Sequence, residues 1–77
     1  MDTKINWEHK RVKHAIEKMW LRGISIKEVE VAIINGKRVF QRSTGLIESF
    51  YSHFSVVFDE KRYGEIRKIF PVTIKIR

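Results

Sequence analysis

The chain has no cysteine, one proline, four glycines and a single glutamine among its 77 residues. Without cysteine there is no disulfide to staple a small core and no thiolate for a zinc or redox site, a composition suited to a reducing cytoplasm. No apolar run approaches the ~20 residues needed to cross a bilayer, and the N-terminus lacks the charged-then-apolar layout of a secretory signal. The sequence therefore predicts a cytoplasmic protein with no membrane role. Acids are scarce as well: nine Asp and Glu against 16 Lys and Arg leave a net charge of +7. That excess favours a polyanionic partner, nucleic acid or acidic protein. Neither a Gly-rich phosphate loop nor a serine-nucleophile motif occurs. His9, His14 and His53 do not share ligand spacing on one element, so neither a metal nor another cofactor is expected. A chain this short buries only roughly 60% of the surface it exposes unfolded. It reads as one domain over 1–77, without repeats, linkers or low-complexity tracts.

What is present is local specification at one corner. Val12, Ala15, Ile16, Met19 and Trp20 recur at i, i+3, i+4, i+7 and i+8, which puts an apolar stripe on one side of a helix over 8–22. Gly23 stops that helix, since glycine takes the left-handed conformation without a Cβ penalty. Ser25 and Glu28 then stand at capping-box spacing, with Ile24 and Val29 placed as a hydrophobic staple. A second helix follows over 26–35, burying Ile26, Val29, Ala32 and Ile33 and ending at Gly36. Arg11, His14, Lys18 and Arg22 form a basic line on the first helix, opposite its apolar stripe.

After the helical hairpin the period changes. Residues 37–42 read as a strand, 43–45 as a turn, and 46–59, rich in aromatic and β-branched residues, as further strand. Residues 4–7 suit an edge strand. At period two, Phe50, Phe54, Val56 and Phe58 fall on the helix-facing side, and Tyr51, His53, Ser55 and Val57 on the other. Residues 60–64 read as a charged turn. In the last strand Val72, Ile74 and Ile76 point inward and Thr73, Lys75 and Arg77 outward, with Pro71 demanding either an edge or a bulge near Phe70. The expected architecture is α+β, a two-helix hairpin packed on one face of a small antiparallel sheet.

The run His14-Ala15-x-x-Lys18-Met19-x-x-Arg22-Gly23-Ile24-Ser25-x-x-Glu28-Val29, followed by Ala32-Ile33 and Asn35-Gly36, resembles a small uncharacterised family grouped with the RelE/ParE toxins. That family usually reads His-Ala-x-x-Arg-Met-x-Glu-Arg-Gly-Ile-Ser and closes on a Val-x-Thr-Val-like strand, here Val72-Thr73-Ile74. Two positions depart from it. Lys18 stands for the usual Arg, keeping the charge but losing the planar fork, and Leu21 stands for the usual Glu. Trp7-Glu8-His9-Lys10 also echoes a related toxin family that opens Trp-Asp-x-x-Lys, with different later spacing. The resemblance implies a RelE-like fold and the toxin half of a type II toxin–antitoxin pair. Such a toxin cuts RNA, ribosome-associated RNA included, without a metal, and is silenced by an acidic antitoxin protein. Oligomeric state stays open, a dimer included.

In that chemistry the ribose 2′-hydroxyl attacks its own phosphate, which requires a base, an acid for the leaving oxygen, and cations around the phosphorane. The open sheet face would offer Tyr51, His53 and Lys75, with Arg42 and Arg67 as clamps. The competing site is the helix line, with His14 as its titrating group and Arg11, Lys18 and Arg22 binding RNA or a partner. In a two-layer fold these sites lie on opposite sides of the core, so only one can be catalytic. A solvated surface pair is the alternative for Tyr51 and His53, and edge protection for the strand cations. The function of another class is a non-catalytic module that binds RNA, DNA or protein on a toxin-like fold.

Overall fold

The structure, a computed structural model, describes residues 2–76; the side chains of Asp2, Thr3 and Arg11 lie outside that description, as does Arg77. Strand β1 (Asp2–Ile5) leads into a 3₁₀ turn (Lys10–Val12), helices α1 (Lys13–Arg22) and α2 (Ile26–Asn35), and strands β2 (Lys37–Gln41), β3 (Leu46–Tyr51), β4 (Phe54–Tyr63) and β5 (Ile66–Ile76). The five strands form one sheet in the order β1-β5-β4-β3-β2. Among the described residues no helix is long and apolar enough to cross a membrane.

The corner between the helices forms as its sequence dictates. Gly23 is left-handed, at φ 67°, and the Ile24 amide donates to the Met19 carbonyl at 3.0 Å. Ser25 Oγ accepts from the Glu28 amide at 3.1 Å while Glu28 Oε1 accepts from the Ser25 amide at 3.2 Å. Ile24 and Val29 enter one core with Met19, Ala32 and Ile33 from the helices and Phe54, Val56, Phe58, Ile69 and Ile74 from the sheet. Both helices thus cover the same face. A Cβ at Gly23 would meet nothing within 4 Å, so Gly23→Ala carries conformational strain alone. It should lower stability in urea unfolding by about 1 kcal/mol, and a mutant as stable as its parent would contradict the left-handed cap.

Five expectations need correction. The first helix starts later than residue 8, because Asn6 Oδ1 accepts from the amides of both Glu8 and His9 at 3.0 Å, a local closure that competes with helix. The stretch 46–59 is a hairpin: Ser52, at φ 55°, turns the chain between Tyr51 and Phe54, which become cross-strand partners. That turn moves Tyr51 to the helix-facing side and Phe50, opposite Ser55, to the open side. The supposed turn at 60–64 is mostly strand, and the chain reverses at Gly64 and Glu65. The sheet is mixed, since β1 runs parallel to β5 at its edge; alternating side chains carry no information about strand direction. Finally, the apolar stripe is narrower than expected, because of its five residues only Val12 in the 3₁₀ turn and Ala15 and Met19 in α1 are buried. Trp20, about 100° round the helix from Met19, is 80% exposed, and Ile26 is 49% exposed.

β1 pairs with β5 only from Ile66 to Ile69, so Pro71 lies on a stretch of β5 that is locally an edge, and the ladder to β4 is bulged there as well. Register shifts between Val57 and Phe58, where Pro71 is buried opposite Phe58 and Val72 is left half-buried. Ile74 points inward as expected, whereas Ile76, at the strand end, is 42% exposed.

Candidate functional site

The residues singled out from sequence do not gather. Tyr51 and His53 sit at the β3–β4 hairpin tip, each edge-on to the Phe54 ring at centroid distances of 6.1 and 5.4 Å. Ser52 Oγ lies 3.3 Å from His53 Nδ1. Arg42 follows β2 at the other end of β3, roughly 17 Å away by strand rise. Lys75 is the member of the set that does stand on the open face, opposite Ser55. His14 and Arg22 are exposed on α1 and Lys18 is half-buried there.

Arg67 belongs to a different arrangement, on the helix-facing side. Its Nε donates to Glu60 Oε1 at 3.0 Å and its Nη2 pairs with the same oxygen. Arg38 crosses the Phe58 ring at 5.3 Å, donates from Nη1 to Glu60 Oε1 at 3.2 Å, and caps α2 through an Nη2 bond to the Ile33 carbonyl at 3.1 Å. Burial alone would raise the Glu60 carboxyl, but the hydrogen bond and charge of Arg67, with those of Arg38, outweigh it and hold the group below its ordinary value. A carboxyl depressed in the folded state stabilises above its unfolded pKa, and that contribution fades as pH falls through the folded one. Urea stability should therefore decline on acidification below about pH 4.5. Glu60→Gln should remove part of that decline and cost roughly 2 kcal/mol at neutral pH, because two guanidiniums then share no anion. An unchanged acid limb in the mutant would rule this out.

The open face carries a feature that the sequence reading missed. Lys4 pairs in register with Lys68, and Lys68 with Lys61, so three exposed lysines form a row across β1, β5 and β4. Neighbouring strands lie about 4.8 Å apart, and like charges placed directly opposite destabilise a sheet. Lys61 has Asp59 at 3.7 Å, and the Lys68 ammonium stands 5.3 Å from the Tyr63 ring centroid, a cation–π distance. Elsewhere on this face Glu48 accepts from Gln41 Nε2 at 3.0 Å and Ser55 Oγ at 2.6 Å. Val57 and Ser55 are only 3% and 1% exposed there.

No protein-family model, curated protein or solved structure matches the chain. The site therefore has to be read from its own chemistry. A row of ammonium groups offers fixed positive charge and hydrogen-bond donors, and no acceptor. It can hold an anion of regular spacing, while general acid–base work requires a titrating pair that the row itself does not contain.

Proposed function

We propose that this protein is an RNA-binding module, a RelE-like fold that holds a phosphate backbone on its open sheet face. One observation carries the reading: Lys68 on β5 stands between two further lysines, Lys4 opposite it on β1 and Lys61 opposite it on β4. Edge protection explains Lys4 on β1 and Lys61 on the stretch of β4 beyond Phe58 that β3 does not pair, but not Lys68 between them, where the repulsion lowers stability. A polyanion offsets that repulsion and gains counterion release besides. The resemblance at His14 to Val29 favours RNA over other polyanions, and the separation of the cations Arg42 and Arg67 from Tyr51 and His53 favours holding RNA over cutting it.

The nuclease toxin, silenced by an acidic antitoxin, is the second reading, and its support is the nearness of Tyr51 and His53 at one hairpin tip. Incubation with labelled single-stranded RNA separates the two. A binding module raises anisotropy, releases the RNA as salt rises, and leaves it full-length on a denaturing gel. RNA fragments that disappear with His53→Ala would establish the toxin reading instead, since an acid or base typically contributes ~10²–10⁴-fold in rate. No binding at low salt would remove both.

A further inference from the structure

At the β1 end of the lysine row a depression is lined by Lys4, Ile5, Asn6, Trp7, Glu8 and Lys68. Its polar groups are almost all donors. Lys4 and Lys68 are adjacent across the parallel β1–β5 pair, so their ammonium groups can converge on one tetrahedral anion. Asn6 spends its carbonyl oxygen on the amides of Glu8 and His9, which fixes the side-chain orientation and leaves its NH₂ as donor. The Trp7 indole N–H is buried and reaches no acceptor among the described residues. Lysine and tryptophan side chains have no acceptor of their own, so the exposed Glu8 carboxylate is the one side-chain acceptor left among the lining residues.

Two ammonium groups and an amide NH₂ beside one carboxylate match a ligand that joins a phosphate to a hydroxyl. We propose that this depression is a nucleotide subsite, seating one phosphate of single-stranded RNA between Lys4 and Lys68 while Glu8 accepts from the ribose 2′-hydroxyl and Trp7 forms part of the wall. The 2′-hydroxyl is the group by which a protein distinguishes RNA from DNA at one position. This inference rests on the RNA-binding reading and adds to it a place and a sugar preference.

Trp7 and Trp20 are the two tryptophans of the chain, and Trp20 is 80% exposed, so Trp20→Phe leaves Trp7 as sole indole reporter at little risk to folding. A short single-stranded oligouridylate should change Trp7 emission with the same midpoint as its anisotropy. Lys68→Gln should weaken both about fivefold near 0.1 M salt and lower the salt slope by about 0.7. The matching oligodeoxyuridylate should bind several-fold less tightly, and Glu8→Ala, which removes the acceptor, should erase that difference. A rise in anisotropy with silent Trp7 emission would overturn the subsite and leave RNA binding intact. So would a Trp7 response indifferent to Lys68→Gln, or equal affinity for the two sugars. Absence of any anisotropy change would overturn both.

Discussion

Gly36→Ala is expected to cost at least about 3 kcal/mol, a large share of the roughly 4–12 kcal/mol that a chain of this size can be expected to possess. The added methyl would overlap Ser49 Oγ and the Ala32 carbonyl oxygen and come within 2.9 Å of the Phe50 carbonyl oxygen. Two of these are backbone atoms and none can step aside. Ser49 is buried and donates to the Ala32 oxygen at 2.5 Å, and the Gly36 amide donates to that same oxygen at 2.8 Å. Relief would require prising α2 from β3, beyond the 1–3 kcal/mol usual for overpacking. The glycine is needed for space, since its φ of −74° suits any residue. Urea unfolding followed by circular dichroism measures the loss. A mutant within 1 kcal/mol of its parent would mean that α2 does not approach the sheet this closely.

Reversing Lys61 and Lys68 to Glu should weaken single-stranded RNA binding about 10²-fold near 0.1 M salt. Each lost phosphate contact removes about 0.7 from the slope of log affinity against log salt, or roughly fivefold at that concentration, and the new carboxylates add repulsion. The single change Lys61→Glu separates this from general damage. Opposite Lys68 it replaces a repulsion by an attraction, and beside Asp59 it replaces an ion pair at 3.7 Å by a repulsion, so the variant should match its parent in stability to within about 0.5 kcal/mol while binding RNA more weakly. Lower stability together with weaker binding would point to ordinary misfolding. Reversing Lys18 and Arg22 on α1 should affect affinity less than the sheet pair does.

The helical corner was legible because each of its signals is local: Gly23, Ser25 and Glu28 act within a few residues of themselves, and α2 spans the 26–35 anticipated for it. The sheet was legible in composition and not in register. Ser52 makes the β3–β4 turn without glycine or asparagine, in a conformation serine seldom adopts, and missing it reversed the assignment of Tyr51 and Phe50. The lysine row was within reach of the sequence. Lys61 and Lys68 are equally distant from the turn at Gly64 and Glu65, so a two-residue hairpin there would have paired them, as well as Arg62 with Arg67. Reading 60–64 as a charged loop hid both pairs. Lys4 was beyond reach, because its alignment with Lys68 depends on β1 returning parallel to β5 after the whole chain has folded.

The binding face is tested most directly by amide chemical shifts during titration with a short single-stranded oligouridylate. If RNA lies along the lysine row, the largest shifts fall in residues 4–8, 59–63 and 66–70, and α1 stays quiet. Largest shifts within Lys13–Arg22, or at the hairpin tip around Tyr51 and His53, would contradict it.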